Sequence, residues 1–184
     1  MRVISGKYRS IKLNSLEGMA TRPTTDKVKE SLFNMIYCQD TNVLDLFAGS
    51  GGLGIEALSR GALNVTFIDG SYDAIKIINS NLDKCKISKE DYSVYRNDYL
   101  RAIKILAKKG SKFDMVLLDP PYNKKIVDNA LENLIDYNLL EDNATIVCET
   151  GSNETINFID NRLEIEKEKK YGNIKITIYN YREK

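Results

Sequence analysis

The chain has 184 residues, 42% hydrophobic and 29% charged, with a net charge of +1. These values suit a single domain with a real core, and they exclude a disordered chain or a globally basic nucleic-acid binder. Histidine is absent, which removes Ser-His-Asp and Cys-His nucleophile systems and every histidine-containing metal site.

Met1 leads directly into a basic segment without an apolar stretch behind it, and no apolar run reaches about 18 residues. A cytoplasmic protein with no membrane association is expected. Residues 1 to 30 hold seven basic side chains against three acidic ones, so a basic arm precedes a mildly acidic body. Within that arm, residues 2 to 13, "RVISGKYRSIKL", alternate apolar and polar positions around Gly6 and predict a short hairpin. In "TRPTTDKVKESLFNMI", Thr24, Thr25 and Asp26 are candidate caps, and Val28, Leu32, Met35 and Ile36 recur at helical spacing.

From Val43 onward, apolar runs ("NVLDLF", "NVTFID", "YSVYRND", "FDMVLLD", "ATIVCE") alternate with amphipathic segments near 52–60, 73–84, 98–109 and 124–137. This alternation predicts an α/β fold with a doubly wound, mostly parallel sheet and helices on both faces. After Glu149, "NRLEIEKEKKYGNIKITIYNYR" predicts two antiparallel strands joined through Tyr171-Gly172-Asn173, with Ile174, Ile176 and Ile178 on one face. Cys38, Cys85 and Cys148 have no C-x-x-C spacing, so neither a disulfide framework nor a zinc ribbon follows.

Gly49, Gly51 and Gly54 spell G-x-G-x-x-G between a strand and a helix, with Asp69 a further 20 positions after Gly49. That pattern alone fits a nicotinamide dinucleotide enzyme. Asp45 argues against it, because a carboxylate ending the first strand repels a pyrophosphate and attracts a ligand carrying an ammonium and a sulfonium. S-adenosylmethionine carries both. Asp69 can hold ribose hydroxyls in either ligand, and Asn97-Asp98 can meet an adenine edge.

The segment "LLDPPYN" places Asp119 at the carboxyl edge of the sheet, where open α/β sheets bind ligands. Pro120 and Pro121 lack N–H donors, and Tyr122 offers a flat ring for stacking. An exocyclic amine on a nucleobase or an amide is a poor nucleophile because its lone pair is delocalised. Asp119 and the Pro120 carbonyl can accept its two N–H bonds, aim the lone pair at a sulfonium methyl and offset the charge developing on nitrogen.

These motifs resemble those of class I S-adenosylmethionine-dependent methyltransferases acting on an amino nitrogen. More narrowly the chain is similar to the bacterial 16S ribosomal RNA guanine-N2 methyltransferases of the small-subunit methyltransferase D type. The similarity runs from "MRVISGKYRSIKL" through "RPTTDKVKESLFN", "VLDLFAGSGGLGIEALSRGA" and "FDMVLLDPPY" to "YGNIKITIY". It implies a seven-stranded Rossmann-like sheet carrying a C-terminal hairpin, divided into an extension at 1–40 and a methyltransferase domain at 41–184. It also implies S-adenosylmethionine as the methyl donor, S-adenosylhomocysteine as the product, no metal, and action as a monomer on 16S rRNA or the small ribosomal subunit.

By residue, the resemblance implies that Asp45, Phe47, Gly49 and Gly51 line the cofactor site, with Asp69 on the ribose and Asn97 or Asp98 near the adenine. Asp119, Pro120 and Tyr122 would hold the guanine. Arg22, Pro23 and Thr24 would close over cofactor and RNA, and Arg2, Lys7 and Arg9 would meet RNA phosphates. Two departures stand out: Ser10-Ile11 occupies a place where a glycine-arginine pair is commoner, and Gly70-Ser71 follows Asp69 in place of a bulkier stretch. Two alternatives stay open, an N6-adenine methyltransferase on RNA or DNA and a non-catalytic RNA-binding protein of the same fold.

Overall fold

The computed structural model describes residues 1–16, 25–121 and 125–183. The arm forms a reduced version of the expected hairpin, its two limbs antiparallel but without an extended ladder. Its ladder is an isolated antiparallel bridge between Arg2 and Lys12, supported by Val3 N–H to the Ile11 carbonyl at 3.0 Å, Leu13 N–H to the Met1 carbonyl at 3.0 Å and Ser10 N–H to the Val3 carbonyl at 2.8 Å. The reason lies in where the other amides go. Ile4 and Ser5 donate to the Glu56 carboxylate, Tyr8 donates to Ser59 Oγ, and Lys7 donates to the Ser59 carbonyl. Each amide bonded to another part of the chain is lost to a cross-strand ladder. The alternation still decided burial, since Val3, Tyr8 and Leu13 are all in the core.

Helix α1 (Asp26–Phe33) is capped by Thr25, whose hydroxyl accepts the Val28 N–H, as Ser and Thr do at helix starts. It stops at Phe33 with Asn34 as its C-cap. Met35 and Ile36, expected to continue the helix, pack against the core from the loop beyond.

From there the chain alternates: β1 (Asn42–Asp45), α2 (Gly52–Ser59), β2 (Asn64–Asp69), α3 (Tyr72–Lys84), β3 (Tyr92–Arg96), α4 (Tyr99–Lys108), β4 (Phe113–Leu118), α5 (Ile126–Asp136), β5 (Leu140–Gly151), β6 (Leu163–Tyr171) and β7 (Ile174–Tyr181). The seven strands form one sheet in the order β3-β2-β1-β4-β5-β7-β6. β1 to β5 run parallel, and β7 pairs antiparallel with both β5 and β6. The fold is therefore the Rossmann-like α/β architecture expected, with the terminal hairpin inserted so that its second strand, β7, is the inner one.

Period-two alternation sends successive strand residues to opposite faces. Val43, Phe67, Leu117 and Val147 face a cluster with α1, α2, α3 and the arm. Leu44, Ile68, Leu118 and Cys148 face a second cluster with α4 and α5. Ile174, Ile176 and Ile178 join the first cluster, as their spacing predicted. The rim strand β6, "LEIEKEKKY", is mostly exposed, and charges along an edge strand oppose pairing with another chain. No described helix is long and apolar enough to cross a membrane.

Candidate functional site: the carboxyl edge of the sheet

Four carboxylates stand at the carboxyl edge of adjacent strands. In sheet order they are Asp69 ending β2, Asp45 ending β1, Asp119 just past β4, and Glu149 near the end of β5. Among the described residues, no acidic or cysteine side chains converge closely enough to hold a metal ion.

Asp45 is buried, and its Oδ2 accepts the Gly54 N–H at 3.0 Å. Burial pushes its carboxyl up to about 7; the Gly54 hydrogen bond works against that rise and the Asp69 charge adds to it. Asp69 shapes the glycine loop directly. Its Oδ2 accepts the Gly49 N–H at 2.9 Å and its Oδ1 accepts the Ser71 N–H at 2.9 Å. An ionised carboxylate offers about four lone-pair sites, so these two bonds leave room for ribose hydroxyls.

Gly49 and Gly51 both take positive φ, 56° and 81°, which only glycine adopts cheaply. They differ in surroundings. A Cβ on Gly49 would meet nothing within 4 Å, whereas one on Gly54 would sit 2.3 Å from Phe67 Cε1. Gly49 thus faces open space, while Gly54 permits α2 to lie tight on β2. Gly51 is the N-cap of α2, and its N–H donates to the Ala48 carbonyl at 2.7 Å.

The remaining cofactor candidates gather around the loop after β3. Asn97 N–H donates to the Asp69 carbonyl at 3.0 Å, which ties the β2 and β3 ends together. Asp98 is the N-cap of α4, its Oδ1 accepting from Leu100 and Arg101. Phe47 packs on Tyr99 with ring centroids 5.1 Å apart, giving an aromatic surface between β1 and α4.

Asp119 is half-buried. Burial raises its carboxyl well above the usual range, and Glu149 and then Asp45 raise it further. Pro120 beside it is buried and Pro121 is exposed. Tyr122, Arg22, Pro23 and Thr24 lie outside the described residues. In the arm, Arg2, Lys7 and Arg9 are exposed. Arg2 pairs with Asp26 at 3.3 Å, and Lys7 Nζ lies 5.4 Å from the Tyr8 ring centre. Arg2, Arg9 and Lys27 line a cavity of about 420 Å³ with Asp26 and Glu30.

Three residues that support this site were not singled out from sequence. Glu56, fully buried in α2, pairs with Lys29 at 3.3 Å and Arg60 at 2.9 Å while accepting the Ile4 and Ser5 amides. Burial lowers the Lys29 ammonium below its ordinary value despite this partner. Asn81 of α3 is also fully buried. Its amide donates to the Ser50 carbonyl in the glycine loop at 2.8 Å and to the Asn14 carbonyl at 3.0 Å, and its oxygen accepts the Asn14 N–H at 2.7 Å. Glu149 is the third. Asn81 carried a faint signal, a polar side chain following Ile77 and Ile78 at helical spacing.

Comparison with known proteins adds independent findings. The family described as conserved hypothetical protein 95 (Cons_hypoth95) matches residues 1–180. YlbH of Bacillus subtilis is 42% identical over 184 residues, spanning 99% of this chain and 100% of that one. The protein named Ribosomal RNA small subunit methyltransferase D in Haemophilus influenzae is 37% identical over 181 residues, spanning 97% and 93%. Among solved structures, yhhF from Escherichia coli superimposes with a TM-score of 0.87 at 32% identity, covering 100% of this chain and 99% of that chain. SMU.776, solved in complex with SAH, shares the fold at a TM-score of 0.70 and 16% identity over 84% of this chain and 48% of its own.

Proposed function

The chain belongs to the conserved hypothetical protein 95 family and, within it, groups with the small-subunit rRNA methyltransferase D proteins; from that premise we propose that it transfers a methyl group from S-adenosylmethionine to the exocyclic N2 amino group of a guanine in 16S rRNA. The observation that carries the reading is Asp119, held at the carboxyl edge in front of two prolines and in line with Asp45 and Asp69 on neighbouring strands.

The residues present suit a cationic donor. Asp45 is a carboxylate kept in a dry place at an electrostatic cost, and a nearby positive charge offsets that cost. Gly49 leaves clear space for the ligand, and Asp69 has acceptor capacity for a ribose. The bound donor supplies an electrophilic sulfonium methyl. Asp119 and the Pro120 carbonyl accept the two N–H bonds of the amine and orient its lone pair. As the N–C bond forms and the C–S bond breaks, the nitrogen becomes positive, and Asp119 both stabilises that charge and stands ready to take the released proton.

A guanine leaves its stack to reach Asp119, so the target is an extruded or unpaired base. On this reading the exposed Arg2, Lys7 and Arg9 of the arm would meet RNA phosphates, and the protein would act as a monomer on the small subunit or an assembly intermediate. The test is methyl transfer to small subunits from a strain lacking the enzyme, followed by nucleoside analysis. N2-methylguanosine is expected, lost about 10²–10³-fold in Asp119→Ala with donor binding retained. N6-methyladenosine in its place overturns the reading, and donor binding without transfer to any RNA favours a non-catalytic role.

A further inference from the structure

The Ser50–Gly51 peptide lies at the centre of the glycine loop, and both of its polar ends are bonded. Its N–H, from Gly51, donates to the Ala48 carbonyl at 2.7 Å. Its carbonyl, from Ser50, accepts from Asn81 Nδ2 at 2.8 Å. A peptide unit is planar, so bonds at both ends fix the tilt of that plane. Ala48 belongs to the loop itself, whereas Asn81 reaches it from outside. Asn81 stands late in α3 and is fully buried.

The same amide holds the arm. Asn81 Oδ1 accepts the Asn14 N–H at 2.7 Å, and Nδ2 donates to the Asn14 carbonyl at 3.0 Å. A primary amide has two N–H donors and one carbonyl oxygen, and here both parts are engaged, by backbone groups of two separate segments. Aspartate has the length but no donor, serine has one donor, and glutamine is longer by a methylene. The other end of the arm touches the loop by packing. A Cβ on Gly52, the first residue of α2, would lie 2.4 Å from Met1 Sδ, so the Met1 side chain rests on the loop's exit.

Gly49 and Gly51, at φ 56° and 81°, give the loop a shape that glycine also leaves easily. A loop braced in one shape before its ligand arrives spares the ligand the cost of ordering it. When the binding shape is populated only in part, apparent affinity falls by that fraction. We propose that Asn81 is a positioning residue for donor binding. Through the Ser50 carbonyl it holds the glycine loop in its ligand-ready shape, and through Asn14 it makes the arm part of the cofactor's housing. This assignment rests on the reading of the loop as the S-adenosylmethionine site. Because Asn81 acts on the loop and not on the reacting atoms, its loss raises the KM for the donor and spares kcat.

The experiment compares wild type with Asn81→Asp, which keeps the size and the acceptor but loses both donors, and with Asn81→Leu, which keeps only the bulk. Leu134→Ala, in the core cluster on the opposite face of the sheet, is the control for lost stability alone. Calorimetric titration with S-adenosylhomocysteine is run where urea curves show all four proteins folded, and methyl transfer to small subunits gives kcat and both KM values. Both Asn81 variants are expected to weaken S-adenosylhomocysteine binding and raise the donor KM about tenfold or more. Their kcat and their KM for small subunits are expected to stay within about twofold of wild type. Leu134→Ala is expected to lower the urea midpoint at least as far while keeping donor affinity within about twofold.

Donor affinity within about twofold of wild type in either Asn81 variant overturns the proposal. An equal loss of donor affinity in Leu134→Ala does so too, because the effect is then one of stability. A fall in kcat as large as the rise in donor KM is the third overturning result. Wild type that takes no S-adenosylhomocysteine overturns the donor reading itself, an outcome distinct from the other three.

Discussion

Asp45 Oδ2 accepts the backbone N–H of Gly54 at 3.0 Å, so the carboxylate that ends β1 also anchors the first turn of α2. One side chain thereby fixes both walls of the glycine loop. It does so while buried, with its carboxyl raised to about 7, and that combination makes the protein sensitive to pH.

The folded protein holds the Asp45 proton more tightly than the unfolded chain, whose carboxyl has the ordinary value of 3.8. Its contribution to stability is complete below that value and drains away as pH rises through about 7, a loss on the order of a few kcal/mol. Asp45→Asn removes this loss, so the free variant is expected to keep its thermal midpoint better than wild type above pH 7. Binding of S-adenosylmethionine runs the other way. It favours the ionised carboxylate, so wild-type affinity rises through the same window with release of a proton, and Asp45→Asn binds weakly at every pH. Calorimetry in buffers of differing ionisation enthalpy measures the proton, and an identical pH slope in wild type and variant would refute the assignment.

Gly49 and Gly54 separate ligand space from packing space. Gly49→Ala places its Cβ in the open and costs about 1–2 kcal/mol for the left-handed backbone, but it is expected to weaken donor binding tenfold or more. Gly54→Ala drives a methyl onto Phe67 and is expected to cost about 1–3 kcal/mol of stability. Denaturant midpoints and S-adenosylhomocysteine titration, read together, check the contrast. Unimpaired donor binding by Gly49→Ala counts against the loop as the cofactor site.

Glu56 is the next test. Replacing it with Ala leaves the Lys29 ammonium buried without its carboxylate and frees the Ile4 and Ser5 amides, so a loss of about 3–5 kcal/mol is expected in urea unfolding. Lys29→Met in the Glu56→Ala background should restore part of that loss, because the stranded charge is then gone. A double variant no more stable than the single would show that the pair is not coupled.

If the arm meets RNA phosphates, Lys7→Ala and Arg9→Ala weaken binding to small subunits uniformly across target sequences. Each should lower the slope of log affinity against log salt by about one. Unaltered salt slopes in both variants would remove these two side chains from the RNA contact.

Much of the fold was legible because strand and helix periods are written in the apolar residues themselves. The turn chemistry at Tyr171-Gly172-Asn173 and the alternation of Ile174, Ile176 and Ile178 gave the last hairpin as it stands. The arm's hairpin is shorter than its alternation suggested, because alternation reports which side chains are buried and is silent on where amides bond. Val3, Tyr8 and Leu13 went inside as written, but Glu56 and Ser59 took the hydrogen bonds that a longer hairpin would have used. In the site, Asp45, Asp69 and Asp119 announced themselves by ending strands. Glu149 did not, because its neighbourhood depends on β4 and β5 lying side by side, a fact of topology and not of local sequence. Asp98 was singled out with Asn97 as an adenine contact, and the structure shows its carboxylate capping α4.

The Ser59 carbonyl lies where a Cβ on Gly6 would be, 1.8 Å from it, and Ser59 also receives the amides of Lys7 and Tyr8. The arm therefore closes the far end of the helix whose near end carries the glycine loop. Anything that docks on the arm stands on the same helix that follows the glycine loop. The spacing from docking surface to reaction centre is set like the span of a caliper, so a shift of the arm on α2 would move a docked partner relative to the loop by the same amount.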